Sequence, residues 1–379
     1  MIKQKRYLLT TEDEATWKFD QPVVFLGEWC RSYERKHIWQ NMDAKIAKPY
    51  GLDKINKDID DSRVKSLERK IFPDFLEILN QNFQTNYSKR YWQIILGPWF
   101  REILQLLLNR INTLKQCFEM EDISGTTLYD SDYCSLAIPN LRASNYFFDN
   151  EKWNNVLNGR IITLIDNKKI NIDFIKEKDN KYLYQDLTTN ISNNPQSIYK
   201  SIKNYINKSC RKIAEKFVKS EDAFLINTYL SSKKLIQLEL LLGQFPQLWK
   251  KFEINSDKKP NKSLRKKLTQ NFLKKSEDDL ENISRILLFE LLPVCYLEGF
   301  EELKNIVNQQ PWPKSPKFIF TSNSYGSDEI FKIYTAIKTE TGSKYYVGQH
   351  GNGYFTSRHC FPKTEEKTVD KFLTWGWSN

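Results

Sequence analysis

The chain has 379 residues, 40% of them hydrophobic and 14% aromatic, which excludes a disordered polypeptide and leaves room for two domains or one large one. Its 58 basic and 47 acidic residues give a net charge of +11, but the two signs are interspersed. No finger, basic heptad or RNP aromatic pair accompanies them, so nucleic acid is not an expected partner, and the excess suits phosphorylated substrates or anionic lipid headgroups equally well.

The opening MIKQKRYLLTTEDEATW lacks the apolar core of a signal peptide. The longest apolar candidate, residues 94–108, is broken by Gly97-Pro98 and Arg101-Glu102, too soon for a membrane span. Cys30, Cys117, Cys134, Cys210, Cys295 and Cys360 are scattered without CxxC or Cys–His metal spacing, which predicts reduced, structural thiols in a cytoplasmic protein, soluble or peripheral at a membrane.

Residues 22–26, PVVFL, read as a buried strand whose end carries Gly27-Glu28-Trp29-Cys30-Arg31. A carboxylate there suits a catalytic base and the arginine a phosphate clamp; alternatively Glu28 and Arg31 form an ion pair that orders the loop. Residues 35–37 read as a solvated helix face. From 52 to 82 an amphipathic helix is expected, and after 90–96 Pro98 is placed to open a new helix, giving a core helix hairpin whose aromatics pack.

Residues 122–200 are poorly periodic and predict loops and small helices. Residues 222–230 read as a strand, Ser231 as the cap of a helix reaching 242, and Gly243 as its stop; Asn227 and Thr228 are then secondary site candidates. The stretch 257–275, DKKPNKSLRKKLTQNFLKK, is the most basic. It reads as a solvated helix face, or as a dock for a membrane carrying a lipid-linked substrate. Helices are expected over 280–292 and 300–307.

Residues 316–377 organise the rest. Strand 317–321, polar turn 322–328, helix 329–338 and strand 344–347 make a βαβ unit, whose right-handed crossover sets the two strands parallel. Ligands of open α/β sheets bind beyond the carboxyl ends of the strands, so Ser322, Asn323 and Ser324 should share a crevice with Gln349, His350, Gly351, Asn352 and Gly353. His350, flanked by glycines, suits a general base or a phosphate donor; alternatively it is a turn histidine bonded to backbone. Ser327 or Asp328 is the expected cap of the following helix, whose amino end would favour an anion. If strand 22–26 belongs to the same sheet, Glu28 and Arg31 stand at the same edge.

The blocks FLGEWCRSYERKHIW, RYWQIILGPWF, LGQFPQLW, FTSNSYGSDEIFK, VGQHGNGYF and FLTWGWS together resemble a family of transferases encoded in O-antigen and other surface-carbohydrate clusters of bacteria. The QHG block, followed by a strand and Trp-Gly, also resembles capsule-polysaccharide glycosyltransferases of the two-lobed GT-B type. The resemblance implies an α/β fold, a Rossmann-like acceptor-side lobe over 1–379 with helical segments at about 52–120 and 231–310, and a donor-binding lobe expected to follow it. On that expectation this polypeptide alone is inactive or nearly so. The implied reaction moves a sugar from a nucleotide-activated donor to a glycan or lipid-linked glycan acceptor, with His350 or Glu28 as base, Ser322, Asn323 and Ser324 positioning substrate, and Arg31 steadying charge. No cofactor is expected, and no metal, on the reading that the chain carries no DxD motif and no histidine–carboxylate cluster. The alternative is a non-catalytic binding or scaffold component of the same machinery.

Overall fold

The computed structural model describes residues 4–165, 170–176, 214–247, 249–250, 258–351, 353–354 and 364–377. Asn352, Cys210, Cys360 and the later part of the 122–200 stretch lie outside the described residues. Among the described residues are nine strands: β1 (Lys5–Leu9), β2 (Val23–Phe25), β3 (Ala44–Ile46), β4 (Asp122–Tyr129), β5 (Asn171–Ile175), β6 (Phe224–Ile226), β7 (Phe318–Thr321), β8 (Lys344–Gly348) and β9 (Lys371–Leu373). The short α1 (Lys36–Trp39) precedes β3, and the hairpin of α2 (Lys54–Phe83) and α3 (Lys89–Met120) precedes β4. After β4 come α4 (Leu141–Phe148) and α5 (Glu151–Ile165). Between β6 and β7 run α6 (Ser232–Leu241), α7 (Lys262–Phe272), α8 (Asp279–Leu291) and α9 (Phe300–Gln309); α10 (Glu329–Glu340) joins β7 to β8, and α11 (Thr364–Thr368) precedes β9.

The strands form two sheets. The first runs β3-β2-β1-β4-β5 and the second β6-β7-β8-β9, every pairing parallel. This is a mixed α/β fold with Rossmann-like parallel sheets, and the first sheet reverses its strand order between β1 and β4. Strands 22–26 and 344–348 therefore belong to different sheets, because β2 takes β1 and β3 as partners while β8 takes β7 and β9.

β4 stands where loops were expected, and β1 in a stretch for which the sequence suggested no element. The residues Tyr7, Leu8 and Leu9 are buried, as both faces of a parallel sheet require. In β4 the threonines satisfy themselves inside: Thr126 Oγ1 donates to the Leu8 carbonyl at 2.9 Å and Thr127 Oγ1 pairs with the Tyr7 hydroxyl at 2.8 Å. Gly125 permits this closeness, since a Cβ there would sit 2.7 Å from the Asn171 carbonyl oxygen and 3.0 Å from the Tyr7 ring.

The two sheets share one continuous hydrophobic core with the helices between them. The helix α3 is its spine. Its 32 residues extend about 48 Å. Near its start it packs on α10 and α11, and toward its end on α5 and β4. Pro98, expected to start a helix, lies inside α3. Proline forfeits the bond to the Ile94 carbonyl, but burial of Trp92, Ile95, Trp99 and Phe100 on both sides of it holds the helix together. Gly97 admits α11, for a Cβ there would lie 2.3 Å from Thr364 Cγ2.

The hairpin aromatics pack as expected: Phe75 contacts the rings of Phe100, Phe272 and Phe289 at 5.4, 5.5 and 4.5 Å. The basic stretch forms α7, with Lys262, Lys266 and Lys267 exposed. Its Arg265 is instead fully buried, donating to Glu298 at 2.8 and 2.7 Å and to the Phe289 and Leu292 carbonyls at the end of α8. Cys30, Cys117, Cys134 and Cys295 are free and buried. Among the described residues no helix is long and apolar enough to cross a membrane.

Arg285 ties α8 to α2 and α7 through Asp74 at 2.8 Å, Glu281 at 3.0 Å and the Phe272 carbonyl at 3.0 Å. Burial alone would raise the Asp74 and Glu281 carboxyls, but hydrogen bonds from Lys274 and Arg285 to the first, and from Lys70, Ser276 and Arg285 to the second, hold both below their ordinary values. Their contribution is thus fully present above the unfolded carboxylate range and lost as pH falls through the depressed folded values. Urea midpoints measured from pH 7 down to pH 3 are expected to fall below about pH 4. An Asp74→Asn, Glu281→Gln variant should show a shallower acid limb.

Candidate active site

At the carboxyl edge of the second sheet, the loops after β6 and β7 are bonded together. The Asn227 side chain donates to Ser324 Oγ at 2.8 Å, and the Ser322 amide donates to the Asn227 carbonyl at 3.0 Å. Thr321 Oγ1 accepts from the amides of Asn323 and Ser324 at 3.2 and 3.0 Å, folding that loop back over the strand end. The next strand closes against it at Gly348, where a Cβ would lie 2.7 Å from Ser322 Oγ. Ser322 and Ser324 are consequently buried while Asn323 is exposed.

Asn227 and Tyr229 both adopt left-handed backbone conformations, at φ 47° and 60°. For a bulky aromatic residue this is an uncommon, strained state, of the kind that clusters where a side chain is held for a ligand. Tyr229 is 59% exposed and its ring stacks on His350, centroids 5.5 Å apart and planes 25° apart. His350 itself is exposed.

Gln349, expected to contact substrate, has its side chain bonded within the protein. Its side-chain oxygen accepts from the Trp375 amide at 2.9 Å and from Trp377 Nε1 at 2.7 Å, while its Nε2 donates to the Gly351 carbonyl at 2.8 Å. The amide thus pins the end of β9 to the turn that carries His350. Gly351 uses its freedom at φ 72°, and Gly353 is exposed beside Tyr354, whose hydroxyl pairs with that of Tyr325 and donates to the Glu365 carboxylate.

The amino end of α10 is occupied, not open to an anion. The cap is Asp328, whose carboxylate accepts from the Phe331 amide at 3.1 Å. Behind it Glu329, Lys332 and Tyr296 form a buried network: Lys332 Nζ lies 2.8 Å from Glu329 Oε2 and 3.3 Å from the Gly326 carbonyl, and the Tyr296 hydroxyl bonds to both side chains. Glu329 Oε1 also accepts from the Leu141 amide at 2.9 Å, linking this edge to the other half of the molecule.

Glu28 and Arg31 lie at the end of β2, in the first sheet. Arg31 Nε and Nη2 donate to one Glu28 oxygen at 2.9 and 2.7 Å, and the guanidinium lies 4.5 Å from the Trp39 ring centroid. Neighbouring Trp29 covers Arg110 of α3 at 5.8 Å. On the same helix Glu102 is exposed, yet burial by surrounding protein raises its carboxyl, with Lys332 pulling the other way. Glu102 and Arg110 are about 12 Å apart along α3 at 1.5 Å per residue. The structure thus gathers Ser322, Asn323, Ser324, Gln349, His350, Gly351 and Gly353 at one sheet edge, and sets Glu28 and Arg31 at another beside the same helix.

Two features escaped the sequence reading. Asp130-Ser131-Asp132 is an Asp-x-Asp triplet at the end of β4, with Asp132 held by Lys262 at 2.9 Å and the Ser131 and Asp132 carbonyls by Arg160. Its spacing was readable; its strand was not. Tyr229 gave no signal, because backbone strain is not written in residue type. Among the described residues no three His, Cys, Asp or Glu side chains are grouped to hold a metal ion.

Neither the curated proteins nor the solved structures contain a match to this chain. A family model described as LIC12162 family transferase matches residues 6–379, nearly the whole length. The chain belongs to the LIC12162 family of transferases.

Proposed function

We propose that the protein is a glycosyltransferase, GT-B-like in arrangement, that moves a sugar from a nucleotide-activated donor to a surface polysaccharide or O-antigen acceptor. The observation that carries this reading is the set of Asn227, strained Tyr229, Ser324 and His350 at the carboxyl edge of one parallel sheet, beside a helix that also borders the edge of a second. A transferase needs two ligands brought together, and the carboxyl edges of two parallel sheets offer two places for them. Membership of a transferase family and the resemblance of the FLGEW and QHGNG blocks agree with it.

In this mechanism the exposed His350 imidazole takes the acceptor hydroxyl proton as the hydroxyl attacks the sugar, and Tyr229 keeps the ring oriented. Asn323 and the edge formed by Asn227 and Ser324 position the donor. The Glu28–Arg31 pair serves the opposite edge, where Arg31 can exchange its carboxylate for the leaving phosphate and Glu28 is the second candidate base. The exposed lysines of α7 offer peripheral contact with an anionic membrane that presents a lipid-linked acceptor. The test is incubation with a panel of labelled nucleotide sugars and lipid-linked glycans. Label is expected in the glycan; a panel in which no donor is consumed contradicts the reading.

A further inference from the structure

In the first sheet the strand order reverses between β1 and β4, and the crevice outside those two strand ends is where such sheets take ligands. One wall is the polar face of α5, which presents Glu151, Asn154 and Asn158 at successive turns. The floor is the chain leaving β1. Asn158 Nδ2 donates to the Thr10 carbonyl at 3.5 Å and the Glu12 amide donates to Glu151 at 2.8 Å, so Thr11 is held between them. From the other side comes Arg110, whose Nη2 donates to Asn154 Oδ1 at 3.0 Å.

Three polar atoms here are buried and have no hydrogen-bond partner among the described residues: Thr11 Oγ1, Asn158 Oδ1 and Arg110 Nε. Thr11 and Asn158 are each 1% exposed. Leaving three such groups unsatisfied in one place costs folding free energy that a stable chain ordinarily avoids. Arg110 adds to it: its guanidinium is desolvated, its hydrogen bond goes to the neutral Asn154 and it lies against the Trp29 ring, while the Glu151 carboxylate acts on it only at longer range, without an ion pair among the described residues. Trp29 is 46% exposed and lies so flat over Gly27 that a Cβ there would sit 2.2 Å from the indole. Turning this exposed ring uncovers the arginine.

We propose that Arg110, Thr11 and Asn158 form a subsite for the phosphate of a hydroxylated ligand. Arg110 Nε donates to a phosphate oxygen, Thr11 donates or accepts beside it, and Asn158 Oδ1 accepts a ligand hydroxyl. Naming that ligand as a sugar phosphate rests on the glycosyltransferase reading, with the phosphate coming either from the nucleotide donor or from the phosphorylated end of the acceptor.

Isothermal titration of the full chain with a nucleoside diphosphate, a sugar 1-phosphate and inorganic pyrophosphate tests this. Arg110→Met is expected to weaken the best of these probes by about tenfold or more, and Thr11→Val, nearly isosteric, by a smaller factor. Arg110→Met should at the same time leave the urea midpoint near the parent's, because relief of the desolvated guanidinium offsets the loss of its longer-range attraction to Glu151. Tight binding of the nucleoside diphosphate alone identifies the donor as source, and binding of the sugar phosphate identifies the acceptor. Unchanged affinity in both variants overturns the subsite, as does a lowered midpoint for Arg110→Met with Thr11→Val binding normally, which marks the arginine as structural. Phosphate binding lost in Arg110→Met without any sugar transfer by the parent overturns the functional reading and leaves the subsite standing.

Discussion

Replacing Lys332 with methionine is expected to lower unfolding free energy by about 3–5 kcal/mol, the cost of leaving a buried partner charged and alone. Lys332 is fully buried and Glu329 nearly so, and the ammonium is the group that neutralises that carboxylate. Methionine keeps the packing of the stem, so the loss reports the charge and its bonds. Glu329 also accepts the Leu141 amide and Lys332 holds the Gly326 carbonyl, so the effect should spread to the turn after β7. Adding Glu329→Gln to Lys332→Met should recover a large part of the loss, since the stranded charge is then gone. Urea unfolding of the three proteins measures it. A single variant within 1 kcal/mol of the parent would contradict the account, showing that the buried network does not depend on the Lys332 charge.

Replacing His350 with alanine is expected to reduce the rate of sugar transfer by about 10²–10⁴, the usual contribution of a positioned proton acceptor, with little change in donor affinity. Stability should hardly change, because His350 is exposed and the turn beneath it is fixed by Gln349 and not by the imidazole. Steady-state kinetics with the donor found in the panel separate the two effects. A loss confined to KM would make His350 a binding group.

The βαβ unit around α10 was legible because each of its signals is local. Asp328 caps α10 and the Ile330, Tyr334, Ile337 stripe faces inward, as the residue pattern requires. Ser231 and Gly243 bound α6 for the same reason, one as a cap and the other at φ 75°. Sheet membership was not legible. The buried triplet of β2 looks like that of β6, and which strands they join is decided by chain segments far away in sequence. β4 was hidden by its own solution, since its glycine and threonines read as loop while their hydroxyls are satisfied only by β1. At Pro98 the sequence rule failed because packing on both sides outweighed one missing hydrogen bond.

For the site, local patterns found the loops that carry Ser322, Ser324 and His350 but not their partners. Glu28 and Arg31 pair with each other at the end of β2, a contact three residues apart that the sequence could suggest. Glu102 and Arg110 are ordinary polar positions on a helix until two sheet edges are set beside them.

The protein has three histidines, so a ¹⁵N-histidine spectrum is simple enough to follow one ring, assigned as the signal lost in His350→Gln. Titrating a nucleotide sugar and its glycan acceptor while transfer is monitored should move that signal and leave the others in place. Transfer that proceeds with the His350 signal unmoved would put the chemistry elsewhere.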